Sequence, residues 1–137
     1  MVRNVMVSDF QCHSDGRGDL FVAEYRKELP FLVKRIYYIC DIKDKEIVRG
    51  LHAHKKLRQV MICLGGECSV IVDDGKKRET IVLDRPGKAI FIEPGVWREI
   101  TNFSRNATLM VLASDLYDED DYIRNYEDYL KYIGEKN

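Results

Sequence analysis

Short runs of β-branched and aromatic residues, separated by turns, most constrain what this chain can fold into. The runs include "DLFVAEY", "VKRIYYICDI", "RQVMICLGGE" and "KAIFIEP". They alternate with turn signals such as "DGRGD", "DDGKK" and "EPGV". Runs of this length and composition are typical of β-strands. The segment "VIVDDGKKRETIVL" predicts a hairpin around its Asp-Gly turn. The chain of 137 residues is therefore predicted to form one all-β domain, a sandwich or a barrel.

The C-terminal segment "DEDDYIRNYEDYLKYIGEKN" departs from the strand pattern. Tyr122, Tyr126, Tyr129 and Ile133 recur at steps of four, three and four, which is the spacing of one helix face. Acidic residues lead the segment, as the helix dipole favours. The pattern predicts a C-terminal helix over residues 118–134, with the tyrosine face packed against the domain or against a partner subunit.

Charge and cysteine usage exclude several classes of function. The chain has 22 Lys and Arg against 23 Asp and Glu, so nothing in its net charge favours nucleic acid or an anionic membrane. It shows no transmembrane run and no signal peptide. The cysteines form no close CxxC pair, and we expect them to be reduced in a cytoplasmic protein. Cys40 and Cys63 lie in apolar runs and are predicted to be core residues.

Two of the three histidines, His52 and His54, lie two residues apart in "RGLHAH". Residues i and i+2 of a strand point to the same face, so the two imidazoles are expected to project together. Such a pair can hold a metal, transfer a proton or fill space. With Arg49 next to it and so few histidines in the chain, the pair indicates a functional site.

Two motifs resemble those of the small-barrel cupins. The first motif has Gly50, His52, His54, Gln59 and Gly66 in order, and the second, "PGVWREITN", has Pro94, Gly95, Arg98 and Asn102. Metal-binding cupins carry an acid and a third histidine where this chain has Gln59 and Arg98. A neutral amide and a guanidinium that cannot deprotonate do not complete a metal site. No bound metal is therefore predicted, which leaves proton chemistry for the histidines.

Three stretches of the chain together resemble the dTDP-4-keto-6-deoxyglucose 3,4-ketoisomerases. They are "RGLHAHKKLRQVMICLGGECSVIVDDG", "IEPGVWREITNFS" and "LMVLASDLYDEDDYIRNYEDYL". The resemblance implies a single small antiparallel jelly-roll (cupin) domain over residues 1–137 with a short C-terminal helix. It implies a homodimer in which residues 1–10 form an exchanged strand. It also implies a dTDP-linked 4-keto-6-deoxy sugar as substrate and no cofactor. The ketone would move from C4 to C3 through an enediol, supplying a pathway to a 3-amino-3,6-dideoxy sugar for a surface polysaccharide such as an O-antigen.

The resemblance also assigns roles in catalysis. His52 is the expected base between C3 and C4, and His54 a second group that handles protons or orients the sugar. Tyr37 is expected to hydrogen-bond or donate to the developing oxygen. Tyr38 must point the opposite way from Tyr37 on a regular strand.

Five residues are expected to bind the substrate. Arg49 and Arg98 are candidates for the pyrophosphate or a sugar oxygen. Trp97 is expected to stack on the thymine or ribose or to form a hydrophobic wall. Asn102 is an inward polar group or a turn-former. In the loop "SDGRGDL", Arg17 is expected near the sugar, and the pair Arg17-Gly18 resembles members that give the galacto product rather than the gluco product.

Two alternatives remain open at the level of sequence. A dTDP-sugar 3,5-epimerase shares the barrel and uses a histidine base with a tyrosine acid. A cupin that only binds a sugar nucleotide would hold the ligand without converting it. Deuterium uptake at C5 separates the first alternative from the isomerase, and absence of turnover identifies the second.

Overall fold

The structure, a computed structural model, describes residues 1–136. These residues form strands, one short 3₁₀ helix and one α-helix, in a chain folded mainly as β-sheet. The strands are β1 (Val5–Asp9), β2 (Cys12–Ser14), β3 (Asp19–Phe21), β4 (Arg35–Cys40), β5 (Arg49–His54), β6 (Gln59–Gly65), β7 (Cys68–Asp73), β8 (Arg78–Leu83), β9 (Lys88–Ile92), β10 (Trp97–Thr101), β11 (Thr108–Ala113) and β12 (Tyr122–Ile123). The 3₁₀ helix is Glu119–Asp121, and the α-helix α1 is Tyr126–Lys136.

Two five-stranded antiparallel sheets form the body of the fold. The first sheet has the order β1-β9-β6-β11-β4 and the second has the order β12-β5-β10-β7-β8. Strands β2 and β3 form a separate hairpin. The predicted hairpin at the Asp-Gly turn is confirmed as β7 and β8. The all-β cupin-like class with a short C-terminal helix is also confirmed.

Period-two alternation along the central strands produces the inner core between the sheets. On β6, Met61 and Cys63 point inward, while Val60 and Ile62 belong to a cluster on the outer face. The inner cluster includes residues of both sheets, for example from β9 in the first sheet and from β7 in the second. The outer cluster is covered by Phe10 and other apolar residues of the segment before β4. Because both faces of β6 are buried, its sequence is an almost continuous apolar run.

Helix α1 covers the outer face of the second sheet. Asn125 Oδ1 accepts a hydrogen bond from the Asp128 amide and caps the helix. Tyr129 is fully buried, and its hydroxyl lies 2.9 Å from the Asp73 carbonyl oxygen and 2.8 Å from that of Gly95. The prediction of a helix over 118–134 is wrong at its start. The chain before Asn125 instead forms the 3₁₀ helix and β12, which pairs with β5.

Strand β1 pairs with β9 of the same chain, from Val5 opposite Ile92 to Asp9 opposite Lys88. Exchange of residues 1–10 between subunits stays a prediction. Cys63 is buried as predicted, but the core prediction for Cys40 is wrong, because Cys40 lies on the exposed face of β4 together with Tyr38. All four cysteines are free thiols. Among residues 1–136, no helix has the length and apolar character needed to cross a membrane.

Candidate active site

A cleft of about 280 Å³ opens between the two sheets, at the end where β5 meets β12. Its lining combines basic, aromatic and imidazole side chains with a few apolar ones. The lining residues are Arg35, Tyr37, Ile39, Arg49, Gly50, His52, Met61, Ile100, Tyr117, Tyr122 and Arg124. Such a mixture suits an anionic ligand that carries a polar ring.

A bulge in β5 aims His52 into this cleft. His52 lies opposite Arg98 and Gly50 lies opposite Glu99, so Leu51 is the extra residue. Gly50 and Leu51 both have left-handed backbone angles, with φ of 83° and 55°. A Cβ at position 50 would lie 3.3 Å from the Arg98 carbonyl oxygen. The glycine therefore permits a close approach of two strands directly beside the histidine.

The two histidines lie side by side, as their spacing predicts. The Nε2 atoms of His52 and His54 are 3.1 Å apart, and the rings are nearly perpendicular, at 84°. His52 Nδ1 lies 2.9 Å from the Gly50 carbonyl oxygen. The side chain between them, Ala53, points to the opposite face and packs under helix α1. The predicted same-face projection of the pair is thus present in the structure.

A carboxylate that was not predicted holds the second histidine. His54 is completely buried, and its Nδ1 lies 2.9 Å from Asp121 Oδ2. Asp121 Oδ1 accepts a hydrogen bond of 2.7 Å from the Lys56 amide, and Oδ2 accepts one of 3.3 Å from the Leu57 amide. The Tyr122 ring packs on both histidines, with ring centroids 4.8 and 4.4 Å away.

Burial keeps both imidazoles neutral at neutral pH. Removal from water, followed by the positive charge of Arg98, lowers the pKa of His52 from 6.5 to about 4. The same two causes lower the pKa of His54 still further. A neutral imidazole has a lone pair available for a proton, which a general base requires.

Arg98 is fully buried and is linked to the cleft by a chain of hydrogen bonds through Gln59 and Tyr37. Its Nε and Nη2 lie 3.3 and 3.1 Å from the Val96 carbonyl oxygen, and Nη1 donates to Gln59 Oε1. Gln59 Nε2 in turn donates to the Tyr37 hydroxyl at 3.1 Å. Burial lowers the pKa of Arg98 to about 10, so the group stays charged. The guanidinium is enclosed by protein, and a direct contact between Arg98 and substrate stays a prediction.

Tyr37 presents its hydroxyl to the cleft. Since Gln59 already donates to this oxygen, the phenolic proton is free to donate elsewhere. Burial raises the pKa of Tyr37, which keeps the phenol protonated. Tyr38 is 69% exposed on the other face of β4, as the alternation predicts.

Three arginines surround the mouth of the cleft. Arg49 lines it as predicted, and Arg35 and Arg124 were not predicted. The Arg124 guanidinium lies 4.1 Å from the centroid of the Tyr122 ring and pairs with Glu119, with Nε to Oε1 at 2.7 Å. Guanidinium groups in this arrangement suit the oxygens of a diphosphate.

Three predicted binding residues lie elsewhere. Arg17 is in the β2–β3 hairpin, with a side chain 88% exposed and paired with Asp15. Trp97 is buried under helix α1, where its Nε1 donates to Glu99 Oε2, and this placement favours the alternative of a hydrophobic wall over stacking on the nucleotide. Asn102 is exposed just after β10 in a left-handed conformation, with φ of 53°, which favours its turn-forming alternative.

The metal-ligating side chains within residues 1–136 do not form a metal site. No group of three or more histidine, cysteine, aspartate or glutamate side chains lies close enough together to hold a metal ion. The positions that resemble metal-ligand positions hold Gln59 and Arg98, which are engaged with each other. The absence of a metal requirement stays a prediction to be tested on the protein.

Fold and site together define a cupin-type barrel whose cleft is lined by a histidine, a tyrosine and several arginines, with a buried Asp-His pair behind that histidine. The family model described as "FdtA: WxcM-like, C-terminal" matches residues 3–134. The chain belongs to this family.

Named relatives agree with the assignment. The chain is 50% identical over 131 residues to the TDP-4-oxo-6-deoxy-alpha-D-glucose-3,4-oxoisomerase of Aneurinibacillus thermoaerophilus, covering 96% of this chain and 94% of the relative. Among solved structures, it matches a histidine-to-asparagine mutant of a 3,4-ketoisomerase from Thermoanaerobacterium thermosaccharolyticum in complex with TDP-4-keto-6-deoxyglucose. That match has a TM-score of 0.95, 40% identity, and coverage of 99% and 98% of the two chains. It also matches a TDP-quinovose 3,4-ketoisomerase from Campylobacter jejuni, with a TM-score of 0.90, 46% identity, and coverage of 95% and 99%.

These matches confirm the resemblance to the 3,4-ketoisomerases that the three sequence stretches indicated. The chain is an enzyme of this intramolecular isomerase class.

Proposed function

We propose that the protein converts dTDP-4-keto-6-deoxy-D-glucose into a dTDP-3-keto-6-deoxyhexose. The observation that carries this proposal is the neutral imidazole of His52, which lines a cleft together with the Tyr37 phenol and three arginines and lies 3.1 Å from the buried His54. The substrate is an anionic sugar nucleotide, so it needs cationic groups for the diphosphate and proton-transfer groups at the sugar. The named relatives, one of them bound to this keto sugar, support the same substrate.

The reaction requires two proton movements. The C3 hydrogen is acidified by the C4 carbonyl, and we propose that His52 removes it, so the C3–H electron pair forms the carbon–carbon double bond of an enediol. The same proton then returns to C4. A second proton passes from the C3 hydroxyl to the C4 oxygen, and the Tyr37 hydroxyl carries it between the adjacent oxygens. Because no electron leaves the sugar, the balance needs no redox cofactor.

Arg35, Arg49 and Arg124 are proposed to bind the diphosphate. Each lies at the mouth of the cleft. Their positions would orient the sugar ring inward toward His52, with the nucleotide outside the barrel.

The deciding experiment is a proton NMR time course of chelator-treated protein with dTDP-4-keto-6-deoxyglucose in deuterated buffer. New 3-keto signals that are absent with His52→Asn, and present with the matched control His13→Asn in the exposed hairpin, are expected. Deuterium entering C5 would instead favour the 3,5-epimerase. Binding of the nucleotide sugar without any conversion would identify a binding domain and refute the isomerase.

Stereochemistry at C4 forms a finer part of the proposal. We favour the galacto product, on the resemblance carried by Arg17 and Gly18. Coupling between the C4 and C5 hydrogens of the product tests this, since a galacto product has an equatorial C4 hydrogen and a small coupling. A large coupling would show the gluco product and refute this part of the proposal.

Biological setting and assembly also belong to the proposal. We propose that the product feeds an aminotransferase that makes a 3-amino-3,6-dideoxy sugar for a surface polysaccharide, in the cytoplasm. A homodimer is supported by apolar side chains left open on the outer face of β4, where Ile36 is 58% exposed and Tyr38 is 69% exposed. Light scattering on the purified protein tests the dimer, and a monomer at micromolar concentration would refute it.

A further inference from the structure

The two histidines are flanked by atoms that can only accept hydrogen bonds. The Gly50 carbonyl oxygen, 2.9 Å from His52 Nδ1, has no proton to give. Asp121 receives backbone N–H groups from Lys56 and Leu57, which hold it as an acceptor carboxylate. Both Nδ1 atoms must therefore carry a proton if their contacts are to be hydrogen bonds.

The histidine pair has no proton left for a hydrogen bond between its two rings. A neutral imidazole has one N–H, so two neutral rings have two, and both protons are used at the Nδ1 atoms. The two Nε2 atoms, 3.1 Å apart, then face each other as lone pairs with no proton between them. One additional proton turns this repulsive contact into a hydrogen bond, and the negative charge of Asp121 balances it.

We propose that Asp121 is a positioning residue that fixes His54 in its Nδ1–H tautomer, so that the facing Nε2 atoms of His52 and His54 take up one proton as a unit. This inference rests on the proposed isomerase function for its role in catalysis, although the tautomer itself does not. In the reaction, the C3–H bond breaks, its electron pair enters the enediol, and the proton forms an N–H bond at His52 Nε2. The bare Nε2 of His54 accepts a hydrogen bond from that N–H until the proton returns to C4.

The surroundings keep the resting unit without the extra proton. Burial and Arg98 lower the pKa of both rings, and Arg124 acts in the same direction. The charged and titratable groups that face the pair are Arg98 from β10, Arg35 and Tyr37 from β4, Tyr122 from β12, and Glu119 and Arg124 from the C-terminal segment. Negative charge developing on the substrate oxygen offsets these cations, so proton uptake coincides with enediol formation.

Asp121→Asn reverses the tautomer with almost no change in shape. The amide oxygen is held by the Lys56 amide, whose nitrogen lies 2.7 Å from Oδ1. The amide nitrogen then occupies the Oδ2 position, where it donates to His54 Nδ1, and the 3.3 Å hydrogen bond that Oδ2 accepts from the Leu57 amide is lost. The proton of His54 is forced to Nε2, where it donates into the lone pair of His52 that the reaction needs.

We expect kcat to fall about 10²-fold in Asp121→Asn, the size of a general-base contribution, with KM changed less than about twofold. The matched control is Asp120→Asn, the same substitution at the exposed neighbouring position, which is expected to keep the wild-type kcat. Asp121→Asn with wild-type kcat would overturn the proposal, as would an equal loss in Asp120→Asn.

Nitrogen NMR of ¹⁵N-histidine-labelled, ligand-free protein reads the tautomer directly. The wild type is expected to show His54 with protonated Nδ1 and bare Nε2, and Asp121→Asn the reverse, with His54→Gln used to assign the signals. Wild-type protein with a bare His54 Nδ1 would overturn the proposal even if the Asn variant failed to fold. Because this measurement uses no substrate, its outcome is separate from that of the turnover assay. A protein with the expected tautomer but no isomerase activity would refute the proposed function and the catalytic role of Asp121, and leave the tautomer assignment standing.

Discussion

Lowering the pH is expected to destabilise the folded protein through His52. Its pKa is about 4 in the fold, chiefly because of burial and then because of Arg98, against 6.5 for the free side chain. Between these two values the unfolded chain binds more protons than the folded protein does, so stability rises with pH across this window. The stability contribution is fully present above 6.5 and is lost as the pH falls toward 4.

The magnitude follows from the two pKa values. Their difference corresponds to about 3 kcal/mol at about 1.4 kcal/mol per pKa unit, which is the full loss below both values. Between about pH 7 and about pH 5 the same linkage relation gives a loss of about 2 kcal/mol from this residue. His54 changes stability in the same direction, because burial lowers its pKa as well.

Urea unfolding at several pH values isolates the contribution of His52. The free energy of unfolding of wild type is expected to fall about 2 kcal/mol more than that of His52→Gln between about pH 7 and about pH 5. His13→Gln, in the exposed strand β2, is the matched control and is expected to follow the wild type. Parallel curves for wild type and His52→Gln would refute the reasoning that burial keeps this imidazole neutral.

Three further predictions concern the site and its support. Tyr37→Phe is expected to lower kcat by about 10²- to 10⁴-fold with little change in KM, because the phenol is proposed to act in proton transfer. Steady-state kinetics tests this, and an equal rise in KM would contradict it. Arg124→Ala is expected to raise KM by about 10-fold or more through the loss of a charge-assisted contact to the diphosphate, while Arg17→Ala, on the separate hairpin, changes KM less; equal effects would contradict this difference. Tyr129→Phe is expected to lower the free energy of unfolding by about 1–3 kcal/mol in urea titrations, since the buried hydroxyl that contacts the Asp73 carbonyl is lost, and an unchanged midpoint would contradict that role.

Period-two alternation accounts for much of what the sequence predicted correctly. It places His52 and His54 on one face with Ala53 on the other, and it separates Tyr37 from Tyr38. The same alternation determines the position of Trp97. Because Trp97 is adjacent to an inward Arg98 on β10, it must point outward, where helix α1 covers it.

Other features required three-dimensional information. Arg98 is separated from the cleft by Gln59, a contact between residues far apart in sequence that no local pattern contains. The tyrosine spacing fits a helix, so the pattern predicts that Asp121 and Tyr122 are helical. The segment instead pairs with β5, since β12 adds an edge strand there, and only long-range pairing reveals this preference. The core prediction for Cys40 is wrong because the apolar run of β4 is buried on one face only, and its outer face is open.

The division of the site between barrel and C-terminal segment has a consequence for how such enzymes diversify. Strand β5 supplies the imidazoles, whereas Asp121, Tyr122 and Arg124 all belong to the short stretch that precedes helix α1. This stretch is joined to the barrel by β12 and anchored by the helix that follows it. We expect chimeras that exchange this stretch between family members to exchange the proposed substrate contacts while retaining the host's folding core.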